Sequence, residues 1–223
     1  MGAMTPVRTY TPSAEQVAEL LLDIGAIQID TQKPFTWASG WKSPVYCDNR
    51  LALSFPHVRT AIKNYLIRVI QQFHPAVEVI AGVATAGIPH ATLVADALEK
   101  PLVYVRTTPK DHGLKNLIEG KIAERQKVVI VEDLVSTGGS SLKAATALRQ
   151  AGTEILGMVS VFSYGFDLAE KQFQDAGITL TCLSDYNHLV NIAMKNDLLS
   201  HDQITQLKAW RYDPSSWQPG TGT

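Results

Sequence analysis

The chain has 223 residues, 45% of them hydrophobic, and a formal charge of −1. That length suits one domain, or one domain with a small appendage, and the near-neutral charge gives no electrostatic case for sequence-independent nucleic-acid binding. No apolar run reaches membrane-spanning length, the first residues lack a signal-peptide core, and two distant cysteines, Cys47 and Cys182, argue against a disulfide framework and for a reduced, cytoplasmic setting.

After a polar start, Ser13-Ala14-Glu15-Gln16 predicts a helix N-cap leading into residues 17–22. Short strands are expected at 26–29 and 43–47, separated by Pro and Gly turns. Val58, Ile62, Leu66 and Ile70 recur every four positions and predict an amphipathic helix over 57–73. Strand and helix then alternate: strands at 77–83 and 102–105 flank a helix at 88–98, and a polar loop covers 106–120. Strands at 127–131, 154–162 and 179–183 alternate with helices at 139–151 and 166–176. Helices at 186–195 and 201–211 follow, and the Pro-, Gly-, Ser- and Thr-rich residues from Asp213 are expected to fray.

Such alternation predicts an α/β fold, a mainly parallel central sheet flanked by helices, with ligands bound at the carboxyl ends of its strands. Residues 1–55 do not continue the pattern and read as a helix and a small cap over that crevice. Residues 56–195 read as the core, and 196–223 as a C-terminal helix and frayed tail packing near the cap. None of His57, His74, His90, His188 and His201 has metal-ligand spacing.

Residues 128–141 carry the most chemistry. The buried run Val128 to Val131 ends in two carboxylates, Glu132 and Asp133, then Leu134-Val135 and a small-residue turn, Ser136-Thr137-Gly138-Gly139-Ser140-Ser141, opening a helix. Backbone amides at such a turn suit a phosphate, and the carboxylates suit sugar hydroxyls or the waters of a hard cation such as Mg²⁺. An ordinary capped strand-to-helix turn with surface acids is the plainer reading.

This pattern resembles the phosphoribosyl pyrophosphate (PRPP) signature of the type I phosphoribosyltransferases. The resemblance implies that family's fold and a PRPP grip spread over Glu132, Asp133, Leu134, Val135, Ser136, Thr137, Gly138, Gly139 and Ser140. A second turn, Ala84-Thr85-Ala86-Gly87, also follows a strand; Gly82 and Gly87 have P-loop spacing, but Ile88-Pro89 stands where Lys-Ser/Thr is needed. In the family the corresponding loop meets the pyrophosphate, although a tight turn explains these residues about as well.

The polar stretch Arg106-Thr107-Thr108-Pro109-Lys110-Asp111-His112-Gly113, reaching Ile118-Glu119-Gly120, suits a lid. It resembles the catalytic loop of orotate phosphoribosyltransferase, which implies Arg106, Lys110 and His112 on the pyrophosphate, with Lys110, His112 and Asp133 as the catalytic set. Upstream, residues 35–50 are a turn-rich stretch in which Ser39-Gly40-Trp41-Lys42-Ser43-Pro44 and the extended aromatic run after it are similar to the same family's hood over the orotate ring. That implies Lys42, Tyr46, Cys47 and Ser136 around orotate.

Three positions depart from the pattern of some members. Thr107 replaces a second Lys, Ala38 replaces the Lys before Ser-Gly, and Ser163-Tyr164-Gly165 stands where an orotate-contacting Arg is found. The resemblance further implies orotidine 5′-monophosphate synthesis, Mg²⁺ held mainly through substrate oxygens and water, and a homodimer whose catalytic loop reaches the neighbouring site. Neither nucleic acid nor membrane is an expected partner. A type I phosphoribosyltransferase for a purine or uracil, or a PRPP-sensing regulator, are the alternative readings.

Overall fold

The computed structural model describes residues 6–37, 39–106, 108 and 117–219. The chain begins with β1 (Val7–Thr9), α1 (Thr11–Asp23), β2 (Ile27–Ile29), β3 (Phe35–Thr36), β4 (Lys42–Ser43), β5 (Val45–Cys47), a 3-10 helix (Asn49–Ser54) and α2 (Pro56–Phe73). It continues as β6 (Val79–Val83), α3 (Gly87–Ala97), β7 (Leu102–Val105), β8 (Ile118–Glu119), β9 (Lys127–Val135) and α4 (Gly139–Gln150). Last come β10 (Glu154–Ser163), α5 (Asp167–Asp175), β11 (Leu180–Asp185), α6 (Tyr186–Lys195) and α7 (His201–Tyr212).

The main sheet has the order β1-β11-β10-β9-β6-β7-β8. All its pairs are parallel except β7 with β8. Each face is covered, so the central strands are apolar throughout rather than alternating; every residue of β6 is buried. On one face Val17 and Leu21 of α1, Ile62 and Leu66 of α2 and Val94 of α3 pack with Ile80, Val129, Val131 and Val159. On the other, Leu148 of α4 and Phe173 of α5 pack with Val79, Ala81, Val128 and Ile130. Full burial of one such side chain contributes about 1.5–3 kcal/mol.

From β6 the chain winds outward to β7, and from β9 it winds the opposite way through β10 to β11. The loops after β6 and β9 therefore part at a topological switch point, where open α/β sheets leave a crevice. Two small antiparallel pairs, β2 with β5 and β3 with β4, make up the N-terminal segment where the sequence leads one to expect a hood.

Local details differ from the sequence expectations. Helix α1 begins at Thr11 with Pro12 in its first turn, and Ser13 is no cap: its buried hydroxyl donates to Leu183 O at 2.8 Å. The expected polar start contains β1, an edge strand paired with β11; three residues are too few to display a period. The polar loop contains β8, antiparallel to β7. Strand β9 does not stop before its acids but runs to Val135, with Glu132 opposite Ser160 on β10.

His90 of α3 is 1% exposed, and neither ring nitrogen has a hydrogen-bond partner. Burial pushes its pKa down to about 4. A base depressed in the folded state stabilises the protein above its unfolded pKa, about 6.5, and that contribution is lost as pH falls toward the folded value. The melting temperature is therefore expected to fall between pH 7 and pH 4.5, with roughly 3 kcal/mol at stake from this residue. His90→Leu should flatten the curve in that window; an unchanged pH slope in thermal melts would refute the assignment.

Candidate active site

Helix α4 opens on Gly138, whose φ of +87° is left-handed. A Cβ there would also sit 3.0 Å from the Phe173 ring, so both conformation and space demand glycine. No side chain caps α4, leaving its first-turn amides, with their positive dipole end, directed at the crevice. Ser136 and Thr137 are half-buried beside them, and Gly139 and Ser140 are exposed. This is the geometry of an anion site.

The two acids have different surroundings. Glu132 is 5% exposed, and its carboxylate accepts from the Ser141 hydroxyl at 2.8 Å and the Asp133 N–H at 3.1 Å. Burial first, then the charge of Asp133, raises its pKa well above the ordinary carboxylate value. Asp133 is half-buried, and burial raises its pKa too, opposed by neighbouring hydrogen bonds and the positive charge of Arg50. Glu132 thus takes a proton more readily, and Asp133 is the better carrier of negative charge. Among the described residues no three His, Cys, Asp or Glu side chains gather into a metal cage. Two neighbouring hard oxygen donors fit a Mg²⁺ that retains water and takes the rest of its ligands from substrate.

The loop after β6 lies directly against this acidic end. A Cβ on Gly87 would meet Val131 O at 2.7 Å and Glu132 Cα at 3.3 Å. Glycine at 87 thus has a packing reason, close approach to β9, which spacing alone does not reveal. The Ala84 amide is engaged by Val105 O at 2.8 Å, and the Ala84–Thr85 peptide is cis. Ala84 and Ala86 are half-buried and Thr85 is exposed.

Arg106 stands where β7 ends. Its N–H donates to Leu117 O at 2.8 Å and its guanidinium lies 3.7 Å from Glu119, closing the base of the following loop. Lys110 and His112 lie outside the described residues, as does Thr107.

In the hood, Lys42 is exposed, with Nζ donating to Thr36 Oγ1 at 2.7 Å. Its carbonyl accepts from Trp210 Nε1 at 3.0 Å, which ties α7 to the hood. Tyr46 is 38% exposed, its ring 5.4 Å from that of Phe35. Cys47 is buried, and burial, then the charges of Asp133 and Asp48, pushes its thiol well up. Tyr164, within the Ser163-Tyr164-Gly165 stretch, is buried in an aromatic cluster. Its ring lies 4.8 Å from Trp37, stacks on Phe166 at 5.6 Å and lies 5.9 Å from Trp210.

One residue the motifs do not single out connects these parts. Asn49 donates from Nδ2 to Asp133 O at 2.7 Å and accepts from Cys47 Sγ at 3.1 Å. Its only sequence signal is its place near the end of the turn-rich stretch 35–50, which by itself assigns it no role.

Comparison with known proteins agrees with this architecture. A family model described as phosphoribosyl transferase domain matches residues 53–190. The chain is 53% identical to an orotate phosphoribosyltransferase of Cytophaga hutchinsonii, over 92% of this chain and 98% of that one. It is 51% identical to the protein of that name from Bacteroides fragilis, over 91% of this chain and 96% of the relative. Among solved structures, the orotate phosphoribosyltransferase of Aeropyrum pernix superposes with a TM-score of 0.72 at 29% identity, covering 82% of this chain and 99% of that one. Leishmania donovani UMP synthase superposes at 0.74 with 26% identity, covering 89% of this chain and 42% of the larger protein.

Proposed function

The chain belongs to the orotate phosphoribosyltransferase family, and from that premise we propose that it transfers the 5-phosphoribosyl group of PRPP to orotate, giving orotidine 5′-monophosphate and pyrophosphate. The observation that carries this reading is the anion-directed N-terminus of α4 beside the half-buried carboxylate of Asp133.

The C1–O bond to pyrophosphate breaks and a C1–N bond to orotate forms, so positive charge develops on the ribose while negative charge collects on the leaving group. Amides and hydroxyls of residues 136–140 hold the 5′-phosphate, fixing the sugar by the end remote from the reaction. Asp133 orients the ribose hydroxyls and lowers the cost of positive charge at the ring. Glu132, buried and bonded to Ser141, supports it from behind. Residues 84–87 meet the pyrophosphate from the β6 side, and Arg106, Lys110 and His112 close over it. Asp133, with Glu132 beside it, would help hold a hydrated Mg²⁺, which would supply positive charge to the anionic substrate. Lys42, Tyr46, Cys47 and Ser136 surround orotate; Ser163-Tyr164-Gly165 supplies no Arg to it, and Tyr164 packs against Trp37 and Phe166.

Homodimerisation with a shared catalytic loop completes the proposal, C₂ pairing being the commonest soluble symmetry. Two buried free thiols, Cys47 and Cys182, support a reduced cytoplasmic setting. Among the described residues no helix is long and apolar enough to cross a membrane. Parallel assays of orotate, uracil and hypoxanthine with PRPP and Mg²⁺ test the reading. Turnover of orotate alone is expected; preference for either other base would overturn the substrate assignment.

A further inference from the structure

Asn49 is fully buried at the start of the 3-10 helix, and both ends of its carboxamide are engaged. Nδ2 grips the main-chain oxygen of Asp133 at 2.7 Å, across 84 residues of sequence, while Oδ1 receives the Cys47 thiol at 3.1 Å. The backbone around it is held independently: the Asp48 amide donates to Ala26 O at 2.7 Å, and the Asp48 carboxylate receives Arg50 Nε and Nη2 at 2.6 and 2.7 Å. Few side chains could replace it. An ionised Asp offers acceptors only and would face the Asp133 carbonyl with like partial charge; an apolar residue would abandon a buried acceptor and a buried thiol together.

We infer that Asn49 is a positioning residue for the reaction: it fixes the Asp133 main chain from the hood, and so couples the orotate side of the site to the carboxylate that serves the ribose. This rests on the proposed function, and it assigns to a residue outside the PRPP signature and the catalytic loop the alignment of one acid with the base-covering segment. The hood's seat then sets where the Asp133 carboxylate points, because a strand residue clamped at its own carbonyl has little freedom to turn.

A double-mutant cycle tests it. Turnover of orotate and PRPP is measured for Asn49→Ala and Asp133→Asn, singly and together, with circular dichroism confirming the fold. Acting through Asp133, Asn49→Ala should lower kcat about tenfold or more in the native background but less than about threefold where Asp133 is already Asn. Equal losses in both backgrounds, the mark of a merely structural role, would overturn the inference, as would a native-background change within twofold. Should the Ala variant not fold, the small, uncharged Asn49→Ser, too short to span to the Asp133 carbonyl, carries the same cycle and the same criteria. Lack of orotate turnover by the native protein would remove the underlying function, and this inference with it; normal native turnover with an insensitive Asn49 would remove the inference alone.

Discussion

Asp133→Asn is expected to reduce turnover by a hundredfold or more while the protein melts no lower than the native chain. The substitution preserves size and planar shape and leaves the main-chain oxygen that Asn49 holds at 2.7 Å. What it removes, on the proposed mechanism, is a negative charge facing a sugar that becomes positive in the transition state. A loss on the order of 3 kcal/mol of transition-state stabilisation corresponds to that factor. Stability should move the other way. Burial already raises the Asp133 pKa, so ionisation there is unfavourable to the folded state despite the hydrogen bond from Glu132, and the Asp133 charge in turn disfavours ionisation of Glu132. A neutral amide relieves both, the usual trade between a tuned site and stability. Steady-state kcat beside a thermal melt decides the matter: full activity in a purified, folded variant would show that the site is misassigned.

Lys110→Ala should cost a comparable hundredfold, on the order of 3 kcal/mol, for the complementary reason that it strips positive charge from the departing pyrophosphate. Arg106 already has its own part on the leaving group in the proposed mechanism, and its charge is shared with Glu119 at 3.7 Å, so it does not replace the lost cation. Thr107 offers no second cation beside it. Mixing inactive Lys110→Ala and Asp133→Asn proteins separates two geometries. If each loop serves the neighbouring subunit, a mixed dimer gathers both defects into one site and leaves the other intact, so part of the activity returns. No recovery despite exchange of subunits, followed by sedimentation, would place the loop over its own site. Undiminished kcat in Lys110→Ala alone would remove it from the mechanism.

Much of this was open to reading from residue order because the forces involved are local. Short runs of valine and isoleucine bounded by turn residues read as strands covered on both faces, and apolar residues every fourth position read as one side of a helix. The turn at 136–140 announces itself by small residues between a strand and a helix. Its Gly138 proves necessary on both conformational and steric grounds. Where local signals are short or mixed, the reading fails. Strand β1 is three residues long, half-buried throughout, and acquires its identity only from β11. Strand β9 continues through Glu132 and Asp133 because β10 pairs with it there, although charged residues normally mark a strand's end.

Residue order by itself, then, determined the alternating α/β plan, the small-residue turn that opens α4 and the acids beside it, since hydrophobic period, turn chemistry and helix-end donors depend on near neighbours along the chain. Only the tertiary structure decided which acid is sealed against Ser141 and which is held by Asn49. It also decided that Gly87 is needed by the backbone of β9, and that Tyr164 is committed to packing among Trp37, Phe166 and Trp210. Burial, desolvation and hydrogen-bond partnership are properties of what surrounds a group in space. Residues dozens of positions apart supply those surroundings only after the sheet has brought them together.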